Sequence, residues 1–287
     1  MYVVAGVSGH TGSVVASTLL AQKQPVRVVV REAAKGEPWK QKGAEVAVAD
    51  LKDEAALTRA VAGAKGFYTL LAPPPWGKPN IAAHRKAIVD ATLGAVKAAR
   101  PGHVVFLSSV GAHIPAGTGP IASLRPLEQG LRDSGIPSTF LRAAAFHENW
   151  GAMIQGAVDG GTLYYGVTDT IRFPQVATTD IGRVGARLLV EGGRGVRIVE
   201  LAGPAEYSVA DVAATIAKIS GKPVKSMTVP VPAMIASLTG MGASADLAAE
   251  YGEMAESINS GLLGWELATQ ERGTVTLEQR LRELMGK

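Results

Sequence analysis

The chain has no cysteine among its 287 residues, which excludes a disulfide framework, a thiol nucleophile and any thiolate metal site. No apolar run reaches the roughly 18 residues that a membrane helix needs, so no membrane span is expected and the apolar content reads as an Ala-, Val- and Leu-rich core. Charge of one sign does not dominate either: the net value is +4, and the Lys and Arg residues are scattered rather than gathered into a stripe. That pattern speaks against nucleic acid as a ligand. Histidines and carboxylates nowhere fall at metal-ligand spacing, so no metal is expected. Met1 leads directly into Tyr-Val-Val-Ala, which reads as a core strand and not a targeting segment. The expected location is cytoplasmic. Two further gaps bear on chemistry: lysine is missing between Lys97 and Lys218, and tyrosine between Tyr68 and Tyr164.

What is present is a rhythm of short β-branched runs and helix-length segments. Tyr2 to Ala5, Val26 to Val30, Glu45 to Ala49, Gly66 to Leu71, His103 to Leu107 and Ser138 to Leu141 read as strands. Between them lie Gly12 to Gln22, Glu54 to Ala62, Asn80 to Ala99 and Ala122 to Ser134, and Ile88, Thr92, Val96 and Ala99 recur at helical spacing. This alternation predicts an α/β, Rossmann-like doubly wound parallel sheet over residues 1–142, with right-handed crossovers. Residues 143–287 read mostly as a smaller α/β substrate lobe, with parts of 172–201 returning to the sheet. There, Ser208 is a predicted N-cap for a helix over Val209 to Ser220, with Asp211 three residues on, and Thr276 to Met285 reads as an amphipathic helix.

The first strand runs into GVSGHTG. Glycines in a strand-turn-helix unit let the backbone approach a pyrophosphate, whose charge the helix N-terminus favours. The turn therefore predicts a dinucleotide seat made of Gly6, Ser8, Gly9, His10, Thr11 and Gly12. The second strand ends in Arg31 and Glu32, with Lys35 near, where NAD enzymes often place a carboxylate first. A guanidinium there favours the 2′-phosphate of NADP, so NADP (NADPH) is expected ahead of NAD. Asp50 and Leu51 end the third strand and would border the adenine, and Leu71, Ala72 and Pro73 open a rigid loop along the cofactor.

These residues resemble the NmrA-like kind of atypical short-chain dehydrogenase/reductases. The resemblance rests on GVSGHTG, on Arg31 with Lys35, on Gly43-Ala44-Glu45-Val46 leading to Asp50, on Val105 to Ser109 and on Glu128. It continues through Ser134 to Arg142, Phe146-His147-Glu148-Asn149-Trp150, Thr179-Asp180-Ile181-Gly182 and Tyr207-Ser208-Val209. It implies a nicotinamide dinucleotide-binding fold, in a group that includes NADP-dependent quinone and dye reductases and redox-sensing regulators.

The catalytic pair of many short-chain reductases, Tyr-x-x-x-Lys, is absent, because none of the six tyrosines has a lysine four residues later. The lysine that such reductases often keep shortly before the residue matched by Glu128 is also missing, since Ser123-Leu124-Arg125-Pro126 stands there. The remaining candidates for chemistry are Ser108 and Ser109 at a central strand end, and His147; His113 reads as an ordinary loop histidine. Trp76, Phe146, Asn149, Trp150 and Tyr165 are the expected substrate contacts for a small apolar or conjugated molecule, with the lobe's own core as the competing use of the aromatics. Two functions follow. One is hydride transfer from NADPH to a quinone-like acceptor; the other is a non-catalytic redox sensor acting through a protein partner. Monomer and homodimer both remain open.

Overall fold

The computed structural model describes residues 1–287. The first half alternates as predicted, with the short α2 as an unpredicted addition: β1 (Tyr2–Val4), α1 (His10–Ala21), β2 (Val26–Val30), α2 (Glu37–Gln41), β3 (Glu45–Val48), α3 (Glu54–Val61), β4 (Gly66–Leu70), α4 (Ile81–Ala99), β5 (Val104–Ser109), α5 (Arg125–Asp133) and β6 (Ser138–Ala143). The fifth and sixth strands run two residues further than expected, because the parallel ladder continues through Ser108 opposite Arg142 and Ser109 opposite Ala143. The helix expected from Ala122 begins instead as a 3-10 turn over Gly119–Leu124, and α5 starts at Arg125, where Pro126 suits the first turn.

The second half contributes β7 (Ala145–Phe146), α6 (Gly151–Gly160), β8 (Thr162–Tyr165), β9 (Phe173–Val176), α7 (Thr178–Glu191), β10 (Val196–Ala202), β11 (Glu206–Tyr207), α8 (Val209–Ser220), β12 (Lys225–Thr228), α9 (Val231–Gly240), α10 (Ala245–Asn259), β13 (Glu271–Arg272) and α11 (Leu277–Leu284). The main sheet has eight strands in the order β13-β10-β6-β5-β4-β1-β2-β3, and all its pairings are parallel. Strand order reverses between β1 and β4, the point where open sheets of this kind bind ligands. Of the 172–201 stretch, β10 joins this sheet, whereas β9 pairs with β7 and β11 in a separate three-stranded sheet.

The two faces of the sheet carry different cores. Val4, Val28, Tyr68, Val105 and Leu141 pack with α1 and α7, while Val3, Val29, Phe67, Phe106 and Phe140 pack with α3, α4 and α5. Alternating side chains of strands buried on both faces produce this division. Helix α7 lies close on α1 because Gly182 and Gly185 leave room: a Cβ on Gly182 would overlap Val14, and one on Gly185 would stand 3.0 Å from the Tyr68 ring. A third core, with Trp150, Leu163, Ile216 and Leu281, holds the lobe together. Its helix α8 starts in a capping box of Ser208 and Asp211, as the sequence predicts.

Candidate functional site

The turn after β1 is built for close approach. Gly6 has φ +72°, and a Cβ there would overlap the Leu70 side chain. A Cβ on Gly12 would overlap the Gly6 carbonyl and stand 2.7 Å from that of Ala5. The Gly9 N–H donates to Gly6 O at 3.0 Å, which folds Ser8, Gly9 and His10 outward to solvent, while Thr11 stays buried. Helix α1 has no side-chain cap, so its first N–H groups lack intrahelical partners and face the space above the turn. An uncapped helix end over a glycine cradle fits a pyrophosphate.

Arg31 and Lys35 are exposed at the end of β2, in the bend that leads into α2. Neither enters an ion pair, in contrast with Arg27, whose guanidinium meets Glu45 at 3.0 Å. Asp50 accepts the Lys52 N–H at 2.9 Å, and Leu51 is half-buried against the α3 side of the sheet. Next to them opens a cavity of about 260 Å³ lined by Lys52, Pro74, Pro75, Lys78, Pro79, Ile81 and His84. The His84 Nε2 is buried there without a partner, and its pKa is lowered by burial and by the charges of Lys52, Arg85 and Arg31. An adenosine end carrying extra negative charge suits such a wall. Lys52, Lys78 and His84 were missed in the sequence because they come from two separate loops and the first turn of α4 and share no motif. Leu71 and Ala72 are half-buried and Pro73 is exposed along the same rim.

At the end of β5 the two serines part company. Ser108 points to the α5 side and donates to Glu128 Oε1 at 2.6 Å, within a buried charge cluster. Arg142 donates from Nε and Nη2 to the two Glu128 oxygens at 2.9 and 2.7 Å, and its Nη1 contacts Glu266. Glu200 lies 4.0 Å from Arg142 and accepts the N–H groups of Glu266 and Leu267 at 2.9 and 3.0 Å. Burial works against the charge on Arg142, but Glu128 and Glu266 more than offset it and raise its pKa. The structure therefore places Ser108 in this charge cluster, bonded to Glu128. Ser109 lies on the opposite face and is half-buried. His113 borders a separate cavity of about 330 Å³ with Arg125, Arg132 and Glu266 on the α5 side.

His147 is fully enclosed, its ring edge-on to Tyr207 at 5.8 Å, and neither ring nitrogen has a partner. The ring is thus placed inside the protein beside Tyr207. Burial lowers the pKa of His147 to about 4, and that of His103, bonded to Thr139 Oγ1, also to about 4. An unfolded histidine titrates near about 6.5, so acid favours the unfolded chain between that value and the folded pKa. Stability is full above about pH 6.5 and falls as the pH drops toward about 4, by of order 3 kcal/mol for each of the two residues. Denaturant unfolding at neutral and acid pH checks this: His147→Phe removes its share of the slope, and an unchanged slope contradicts the assignment.

The expected substrate contacts divide between core and cleft. Trp150 belongs to the lobe core, with its Nε1 donating to Gln175 Oε1 at 2.8 Å, which corrects its placing as a substrate contact. Tyr165 packs tilted against it at 5.0 Å, and burial raises its pKa to about 12. Phe146 is half-buried against the α1 and α7 side of the sheet, and Asn149 is exposed. Trp76 remains 44% exposed, although its Nε1 donates to Met241 O at 3.1 Å and fixes the ring. Its neighbour at 6.4 Å is Tyr251 of α10, which the sequence reading did not single out. Arg85 of α4 ties α10 to the sheet through Glu250 at 2.6 Å. No group of His, Asp and Glu side chains converges to hold a metal ion, and no helix is long and apolar enough to cross a membrane.

The model of the NmrA-like family matches residues 2–272. An NAD(P)H azoreductase from Xenophilus azovorans is 26% identical over 257 residues, 88% of this chain and 86% of that one. Quinone oxidoreductase 2 from Escherichia coli (strain K12) is 28% identical over 247 residues, 84% and 82% of the two chains. Among solved structures, an NADPH-dependent quinone oxidoreductase from Escherichia coli complexed with NADPH has a TM-score of 0.78 at 25% identity, covering 99% of this chain and 100% of that one.

Proposed function

The chain belongs to the NmrA-like family, and from that premise we propose that it is an NADPH-dependent oxidoreductase that reduces a quinone-like or other conjugated small molecule. The observation that carries the reading is the uncapped N-terminus of α1 over Gly6 and Gly12, continued by the unpaired Arg31 and Lys35 and by the cavity of Lys52, Lys78 and His84. The named activities of the azoreductase and quinone oxidoreductase relatives support it. When bound, NADPH supplies the hydride.

The protein's own part is to seat and orient. The amides of His10 to Gly12 hold the pyrophosphate, Arg31 and Lys35 the 2′-phosphate, and Asp50, Leu51 and His84 the adenosine. Leu71 to Pro73 and Ser109 border the nicotinamide end, and Trp76, Tyr251 and Phe146 flank the acceptor. Turnover is tested by mixing purified protein with NADPH and a panel of quinones, azo dyes and enones, and following loss of the reduced-nicotinamide absorbance. Binding of NADPH without turnover on the whole panel would favour the redox-sensor reading and its protein partner. For the cofactor, Arg31→Ala weakens NADPH binding by about 1–3 kcal/mol and leaves NADH nearly unchanged in a fluorescence titration. An equal loss for both would contradict the 2′-phosphate role.

A further inference from the structure

NADPH carries two anionic centres, and the uncapped end of α1 receives only the pyrophosphate. A second basic surface lies in the cavity between the loops that leave β3 and β4. Lys52, Lys78 and His84 line it, the rest of the wall is three prolines and Ile81, and no carboxylate is among the lining residues. Asp50 beside it takes up part of the Lys52 charge, since its carboxylate stands 3.9 Å from Nζ, whereas Lys78 enters no ion pair. Ile81 and His84 stand in the first turn of α4, whose N-cap Asn80 makes no side-chain hydrogen bond, so the positive end of that helix adds to the field. The His84 Nε2 is buried there without a partner. A neutral adenine gives two lysines nothing to bind; a phosphate dianion does.

We propose that Lys52, Lys78 and His84 complete the 2′-phosphate site begun by Arg31, and that His84 takes up a proton from solvent as the phosphate enters, donating from Nε2 to its oxygen. This rests on the NADP(H) seat and adds to it a proton-linked preference for NADP(H) over NAD(H). Besides Lys52 and Lys78, the charged groups around the imidazole are Arg31 after β2, Asp50, and Arg85 of α4, which Glu250 of α10 pairs at 2.6 Å. Cations outnumber acids there, and with partial burial they keep His84 neutral near pH 7 in the free protein. A dianion reverses that balance. The imidazolium has an N–H on both ring nitrogens, so Nε2 then donates whichever tautomer the free ring held. The ligand's own phosphate takes a proton near about pH 6, so the comparison belongs above that value.

Adenosine 2′,5′-bisphosphate and 5′-AMP differ by the 2′-phosphate alone and test this without turnover. Calorimetric titration near pH 7, in two buffers of unequal ionisation enthalpy, counts the protons taken up per ligand bound. With the bisphosphate, uptake by the wild type should exceed that by His84→Gln by at least about 0.3 proton, and 5′-AMP should show no such difference. Bisphosphate affinity should fall at least about fivefold in His84→Gln and in Lys78→Gln, with 5′-AMP affinity held within about twofold. Lys78 is exposed on its loop, so its variant carries the affinity test even where the imidazole variant folds poorly. Equal proton uptake by wild type and His84→Gln, or a fall in affinity shared by both nucleotides, overturns the proposal. A preference for the bisphosphate that survives in both variants also overturns it, while sparing Arg31 and the NADP(H) seat. A wild type that binds neither these nucleotides nor NADPH removes the seat with it.

Discussion

Gly12→Ala lowers NADPH affinity by about 100-fold or more, a loss of about 3 kcal/mol. The cause is backbone against backbone: the added Cβ would overlap the Gly6 carbonyl and press on that of Ala5, and neither is the flexible end of a side chain. Relief requires the turn to open. The amides of His10 to Gly12 then no longer converge on one anion, and the contribution of the helix N-terminus is lost with them. Gly9→Ala provides the comparison, since a Cβ at Gly9 meets only Gly6 O at 3.4 Å, and its φ of −102° suits any residue. That variant should keep the wild-type fold and melting temperature, with a smaller loss of NADPH binding than Gly12→Ala. Fluorescence titration of both, beside circular dichroism to confirm the fold, checks the prediction. Equal affinities for the two variants would contradict the cradle geometry.

Arg142→Ala costs about 3–5 kcal/mol of folding stability. Its guanidinium is 1% exposed and is the only cation in contact with Glu128 at short range, since Arg132 stands 3.9 Å away. Glu200 and Glu128 are themselves 1% and 3% exposed, so removal of the cation leaves two carboxylates in a poorly solvated site. Such a loss is a large part of the roughly 5–15 kcal/mol that holds a protein of this kind together. The damage should spread to the segment before β13, because Glu200 and Arg142 together hold Glu266 and Leu267. Denaturant melts measure the loss. A change below about 1 kcal/mol would mean that the cluster contributes little beyond local order.

The first half was legible because its signals are local. The first six strands are short apolar runs, four of them separated by helix-length segments, and the glycine turn sits where that rhythm puts it. The capping box at Ser208 was equally local. The lobe was harder, because Ala145–Phe146, Glu206–Tyr207 and Glu271–Arg272 are too short to show any periodicity, and only pairing with distant chain makes them strands. The same reason explains the misplaced site residues. Ser108 and Ser109 are adjacent in sequence, and only the position of Glu128 shows that one joins a buried charge cluster while the other lies half-buried on the opposite face. Trp150 was read as a ligand contact, yet Gln175 satisfies its indole N–H inside the lobe. Tyr251 gave no signal of its own, since its contact with Trp76 joins two elements far apart in sequence.

The central claim is that this dinucleotide seat serves catalysis. Single-turnover mixing of the NADPH-loaded protein with menadione tests it most directly, with nicotinamide oxidation followed against hydroquinone formation. The account predicts that bound NADPH is consumed in one exponential phase with equimolar hydroquinone appearing. Retention of bound, unoxidised NADPH in the presence of saturating menadione would contradict it.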